Sequence, residues 1–451
     1  MPVLGDYSRL PRLPDAALAH IPGESGWPLI GHTREFLADP LAYARRMHQT
    51  YGPVSRSRFL FEVRLNLTSA EALEWVLLDR QGEFSAYAGW EPVLGWLFPR
   101  GLMLRDGEDH RLHRRLMQPA FRREALATYL ERMNPRIDAA VREWQQRGVL
   151  RFYPAIKQLT LEIAAEVFLG LSLRAEIDAV NRAFTDLVEA SSAILRLPLP
   201  GLLWQRGRAG RERLVRLLAA RLPERRAQPG SDLFSQLCSA TDEQGQRYAD
   251  DEVIDHLIFV MMAAHDTTTS ALTTLAYALG SQPDWQARLA EEARALGSAE
   301  LPDSRADRHE PLLWSLREAL RLYPPLTTIL RRSRVATVWQ GHAIPAGTAV
   351  NLFPVLVQRD PRWWSEPDRF DPERFSPGRA EHRRHPFAWT PFGGGAHMCL
   401  GLHFAELQVK AVLHRLLWDS RLVLAPDYRL PYQLAPIAKP RDGLPLQLRR
   451  R

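Results

Sequence analysis

The chain has 451 residues, 45% of them apolar, and a formal net charge of +7, with 56 of its 59 basic residues arginine. That length and apolar fraction support a sizeable core, and the excess charge gathers into no basic motif with interleaved aromatics, which argues against nucleic-acid binding. Two cysteines, Cys238 and Cys399, make no disulfide framework. No Gly/Ser linker, low-complexity stretch or repeat divides the sequence, so a single domain over 1–451 is expected. Without an apolar leader or a run of 18 apolar residues, neither signal peptide nor transmembrane anchor is expected, and the expected location is the cytoplasm.

Helical periodicity runs through Pro40–Tyr51 and Ala70–Asp79, with strand-like sequence near Arg56–Leu67 between them. The loop from Tyr87 to Phe98, which includes Trp90 and Trp96, is too apolar for an ordinary surface segment. Helical patterns follow at His110–Phe121, Arg123–Arg147, Leu159–Leu169, Glu176–Leu195 and Arg208–Leu222. In the first of these, His110 and Arg114 share one face. Cys238 lies in another helical pattern and reads as a buried small hydrophobe.

From about Asp250 to Leu279, Ile254, Leu257, Ile258, Met261 and Met262 mark a long helix, with Asp250 and Asp251 as caps and Gly280 as a stop. Its middle, Ala263-Ala-His265-Asp266-Thr267-Thr268-Thr269, carries small and polar residues where a core helix carries leucine, and hydroxyls there compete for backbone carbonyls and loosen the turn. Farther on, Glu318 and Arg321 share a helical face that Pro324 and Pro325 end; alone they would be an ordinary surface pair. Strands are expected near Arg334–Trp339 and Ala349–Leu356. Finally, Phe392-Gly-Gly-Gly395-Ala-His397-Met-Cys399-Leu-Gly401 sets a cysteine in a glycine-rich turn before a helix at Phe404–Leu417. Backbone N–H groups at a helix N-terminus help a thiolate to stay ionised.

That last string, with Glu318-x-x-Arg321, Arg359-Asp-Pro361 and Phe370-Asp-Pro-Glu-Arg374-Phe375 in the same order, resembles the cytochrome P-450 superfamily in its soluble bacterial form, over nearly the whole chain. The resemblance implies a mainly α fold with a small β-rich lobe from about 20–70 with 330–360, and a haem b ligated by the Cys399 thiolate. It implies that Phe392, Gly395 and Gly401 shape the haem loop, that His110, Arg114, Arg331 and His397 meet the haem carboxylates, and that Arg374 joins Glu318 and Arg321 in a buried cluster. It further implies that Asp266 relays protons through water and that Thr267 hydrogen-bonds the oxygen under reduction, with O2 as co-substrate. Sterol demethylases of this superfamily usually carry histidine in place of that acid, which sets this chain apart from them.

By the same resemblance, Tyr87, Trp90, Trp96 and Phe98 roof a substrate pocket walled by Phe259, Met262, Ala263, Leu326, Thr328, Ile329 and Ile437, and Ile194 to Trp204 forms a lid. A pocket so lined, without an evident charged anchor, suits a lipophilic small molecule. The lid's apolar tip with Arg206, Arg208, Arg211 and Arg213 suits an amphiphile's carboxylate or a weak contact with a membrane surface. The expected reaction is hydroxylation of a fatty acid or similar lipid. Alternatives are a sterol or terpenoid hydroxylase, a peroxide-driven oxygenase of the same fold, and a non-enzymatic haem sensor or binding protein; the Asp266-Thr267 pair argues against the last two. With no redox module fused, electrons are expected from a ferredoxin or flavodoxin with its NAD(P)H reductase, steered by Arg111, Arg114, Arg115, Arg122, Arg123, Lys410 and Arg415.

Overall fold

The computed structural model describes residues 13–171, 176–230, 232–241, 245, 247–302 and 309–451. Where apolar residues recur every three or four positions the chain is helical, and the longest such stretch, Asp250–Gly280, is an unbroken helix of 31 residues, about 46 Å long. Other helices close round it: it packs along Phe152–Leu169 and touches Leu203–Ala219, Glu310–Leu322 and Leu402–Asp419. The main apolar core, which includes Phe152, Phe168, Phe234, Leu272 and Phe404, fills the space between them.

A second core lies against a six-stranded mixed sheet. Its order is Gly23–Glu24, Val54–Phe59, Glu62–Leu67, Ala349–Leu352, Ile329–Ser333, Phe84–Ser85. β-Branched and leucine side chains from these strands pack with Leu73 and Val76 of the Ala70–Leu78 helix. The register sets Val350 beside both Leu65 and Arg331, which carries Arg331 into the interior between sheet and helices.

Several elements differ from expectation for local reasons. The apolar loop after Tyr87 is instead a helix, Ala86–Leu94, capped by Ser85, whose hydroxyl accepts the Ala88 N–H. Pro92 inside it reads as a breaker, but the Ala88 carbonyl that it leaves unbonded accepts from Arg332 Nε at 3.3 Å. The long helix is not capped by Asp250 and Asp251: Ala249 holds the cap position, the acids occupy the first turn, where they complement the dipole, and Gly280 is helical. The helix expected to reach Leu195 ends at Ala190, and the next spans Leu203–Ala219. In place of one strand at Arg334–Trp339 there are two, Ile329–Ser333 and Thr337–Trp339. Arg56–Leu67 is a hairpin turned at Leu60 and Phe61, and Ala349–Leu352 ends before a short helix at Pro354–Val357.

Candidate functional site

Cys399 sits in a tight loop just before the Leu402–Asp419 helix. Its N–H donates to Phe392 O at 2.9 Å, closing the loop, and Met398 N–H donates to Gly395 O at 3.1 Å. Gly393 and Gly395 have φ of 70° and 63°, and a Cβ on Gly395 would lie 1.9 Å from Leu77 O, so no side chain fits where the loop presses on the Ala70–Leu78 helix. Gly401, at φ −89°, has no such need. The thiol is accessible although protein surrounds it, as for a group facing an internal hollow. Burial pushes its pKa up; the Gly401 N–H and Arg114 oppose that rise.

Four side chains gather near this loop. Arg331 is 7% exposed, and burial pushes its guanidinium down to about 10, with Asp106 and Asp79 only partly offsetting the cost. Burial also lowers Arg114. Among the described residues no carboxylate lies within ion-pair distance of either arginine. His110 and His397 stack with ring centroids 3.9 Å apart, and His397 lies 3.6 Å from Asp106. Burial lowers both histidines, His110 to about 3. A buried and a half-buried cation without anions are costly. An accessible thiol beside them, with two imidazole donors, fits a flat dicarboxylate macrocycle bound through its metal to sulfur.

The acid–threonine pair divides between two environments. Thr267 donates to Ala263 O at 2.7 Å and borders a large cavity. Asp266, 3% exposed, turns the other way to Lys157, with Oδ1 2.9 Å from Nζ. Burial pushes its carboxyl up, but His265 and Lys157 outweigh that and hold it below the usual range. The threonine hydroxyls bond back to carbonyls at Thr269 and Ser270 as well, yet the expected loosening is not seen and the helix stays continuous.

Glu318, Arg321 and Arg374 are fully buried together. Glu318 takes a two-pronged bond from Arg321 at 2.7 and 2.8 Å and one from Arg374 at 3.2 Å. Arg374 also meets Glu381 at 3.1 Å, a member that no spacing announced. Gln358 ties the cluster toward the cysteine loop: it donates to Arg321 O and accepts from Thr390 N–H, 3.0 and 2.9 Å.

The cavity beside Thr267 has a volume of about 500 Å³. Trp90, Phe259, Met262, Ala263, Leu326, Thr328 and Ile437 line it as expected; Tyr87, Trp96, Phe98 and Ile329 do not. Helical phase explains the roof. Trp90, Val93, Leu94 and Leu97 face the cavity at helical spacing, whereas Trp96 packs on Trp204 at 4.4 Å and Phe98 lies behind Phe259 at 5.3 Å. Ile329 packs toward the sheet core. Unannounced walls come from the small lobe, where the hairpin turn presents Phe59 and Phe61, and from Arg196. Two of the four arginines of the expected basic flank are spent on acids: Arg206 meets Asp186 and Glu189, and Arg211 meets buried Asp255 at 2.7 Å. Likewise Lys410 and Arg415 are buried rather than part of a docking face, Arg415 bonding Asp138 and Asp419.

A thiol at a helix N-terminus, internal cations beside it and an apolar cavity bordered by a threonine are the equipment of a haem-thiolate monooxygenase. Residues 21–441 match the cytochrome P450 family, and the chain belongs to that family. It is 39% identical to the putative cytochrome P450 136 of Mycobacterium tuberculosis over 97% of this chain and 90% of that one. It is 29% identical to the putative cytochrome P450 120 of a Synechocystis strain over 95% and 96%. Its fold matches the solved structure of retinoic-acid-bound cyanobacterial CYP120A1 with a TM-score of 0.89, at 29% identity, covering 96% and 99% of the two chains. The enzyme is accordingly a P450 monooxygenase using haem b and O2. Among the described residues, no helix is long and apolar enough to cross a membrane.

Proposed function

We propose that this enzyme hydroxylates an elongated apolar carboxylic acid, a fatty acid or an isoprenoid acid, at a carbon remote from the carboxylate. The supporting observation is the cavity itself. Its inner part, beside Thr267, is walled by Phe259, Met262 and Ala263, while Arg196 borders it on the lid. Among the described residues no carboxylate lies within ion-pair distance of Arg196, which rests over Trp204 with its guanidinium carbon 5.2 Å from the ring centre. This arginine takes the role first expected of Arg206, Arg208, Arg211 and Arg213. A structural relative that binds retinoic acid, a carboxylate on an isoprenoid body, supports the same class. A sterol or neutral terpenoid is the alternative; the β-amyrin 28-monooxygenase of Saponaria officinalis is a 25% identical relative.

Bound haem would activate O2 and be held by Cys399, with Arg114, Arg331, His110 and His397 on its carboxylates. The chain's own residues exclude water from the apolar cavity, orient the substrate, and bring protons through Asp266 and Thr267. Electrons come from a ferredoxin or flavodoxin with its NAD(P)H reductase, drawn to exposed Arg111, Arg115, Arg122 and Arg123. Near the lid, exposed apolar side chains such as Phe61, 72% accessible, and Ile194 give a weak membrane-surface contact. The proposed location is the cytoplasm.

Fatty acids of increasing length should tighten the substrate-induced spectral shift by about 0.8 kcal/mol, or about fourfold, per added CH2 until the cavity is full. No shift with any acid, beside a clear one with a neutral polycycle, overturns the proposal. Thr267→Ala should keep that shift but divert electrons to peroxide, lowering product per reductant about tenfold or more. Unchanged coupling would remove Thr267 from proton delivery.

A further inference from the structure

Lysine is nearly absent from this chain, three residues against 56 arginines, so a position that needs only a cation is filled by arginine almost everywhere. Two of the three lysines stand in the surroundings of Asp266. Lys157 Nζ lies 2.9 Å from Asp266 Oδ1 and 3.0 Å from Thr185 Oγ1. Lys439 Nζ lies 3.0 Å from Glu189 Oε1. Both lysines, Asp266, Thr185, Glu189 and Tyr153, together with Val188, Pro436 and Ile437, bound one small hollow of about 10 Å³, room for roughly one water. Glu189 and Lys439 are half-buried, so this hollow leads from Asp266 toward solvent, with Val188, Pro436 and Ile437 as walls shared with the substrate cavity.

Asp266 Oδ2 is buried without a hydrogen-bond partner, 3.5 Å from His265 Nε2. His265 Nδ1 lies 2.6 Å from Met261 O, which assigns a hydrogen to Nδ1. Lysine, unlike arginine, can give up a proton within a protein.

We propose that Lys157 is the proton donor to Asp266 and that Lys439 and Glu189 pass protons to it from solvent. This rests on Asp266 and Thr267 delivering protons to the reaction. Monooxygenation consumes one O2, two electrons and two protons per substrate C–H, giving C–OH and one water. Lys157 Nζ gives a proton to the ionised Asp266 at Oδ1, its N–H bond breaking as the O–H bond forms, and the carboxyl then passes one inward and returns to carboxylate. The resulting amine is reprotonated across the hollow, from a water in exchange with Glu189 and Lys439, so no charge accumulates.

The decisive variant is Lys157→Arg, which keeps the cation but cannot act as an acid. In the holoenzyme it should retain haem content, spectral shift and first-electron reduction, while product formation falls about tenfold and the solvent deuterium isotope effect rises. If the lysine is only an ion-pair partner, arginine restores wild-type turnover with an unchanged isotope effect, and the proposal falls. Asp266→Asn separates the two levels: impaired coupling there with a normal Lys157→Arg removes only the relay, whereas normal coupling in Asp266→Asn removes the acid's role altogether. A readout independent of turnover is NMR of Cε-labelled lysine in the diamagnetic reduced carbon-monoxide form, where three signals report Nζ hydrogen exchange. Lys157 should exchange despite its burial, and about tenfold more slowly in Lys439→Met; exchange unaffected by that change removes Lys439 from the path. Should Lys157→Arg fail to hold haem, Lys439→Arg at the half-exposed end carries the same contrast.

Discussion

Cys399→Ser should fold with unchanged secondary structure yet lose the strongly red-shifted absorption band of the reduced, carbon-monoxide-saturated holoprotein, with hydroxylation falling to background. Serine has nearly the same shape, so the loop closed by Cys399 N–H to Phe392 O and the packing of Gly395 on Leu77 are kept. What changes is acidity. Burial already pushes the thiol up, and the Gly401 N–H and Arg114 offset this only in part. A thiol can still be deprotonated on binding a metal; a hydroxyl in the same place is a far weaker acid and stays neutral. A wild-type band in the variant would mean that Cys399 is not the axial ligand.

Glu318→Ala should cost about 3–5 kcal/mol, measured as a lowered urea midpoint, and should yield little haem-loaded protein. The loss is large because two guanidiniums, Arg321 and Arg374, are left fully buried without their shared anion, and total stability is only about 5–15 kcal/mol. Glu373→Ala, which removes an exposed partner of Arg288, should stay within about 1 kcal/mol and serves as the control. Equal effects would show that Glu318 holds no special place. Acid should unload the cluster from its Glu381 end. Burial pushes that carboxyl up, but Arg379 and Ser365 outweigh it and hold its pKa at about 2, against an ordinary 4.5. Its contribution to stability is therefore full above about pH 4.5 and fades as pH falls toward 2, which acid titration of the unfolding midpoint checks.

What the sequence conveyed depended on whether the information was local. Pro40–Tyr51 and Arg123–Arg147 match their periodicity end to end because each presents one apolar face to a core. The cysteine loop was legible because its glycines answer local backbone needs at Gly393 and Gly395. The roof was not: Tyr87 to Phe98 is apolar but for Glu91, too little to set a helical phase, and Pro92 concealed the helix until Arg332, 240 positions on, supplied its missing partner. The partners of Asp266 and Arg374 were equally hidden. Lys157 lies on another helix, and Glu381 becomes a neighbour of Arg374 only when the segment between them turns back. Burial, too, could not be read from spacing, which is why Glu318-x-x-Arg321 looked ordinary by itself.

The scarcity of lysine reaches beyond proton supply. Lys157 and Lys410 are buried and Lys439 is half-buried, so the positive exterior of this enzyme is guanidinium throughout. An exposed guanidinium does not titrate below about pH 12, and attraction for an acidic electron donor should persist in alkaline buffers where an ammonium-rich surface would have gone neutral. The same surface is nearly invisible to amine-directed reagents. Succinimidyl cross-linkers find no fully exposed ε-amine on which to trap a transient complex, and capture of the docked electron donor has to go through carboxylates or arginine-selective dicarbonyls.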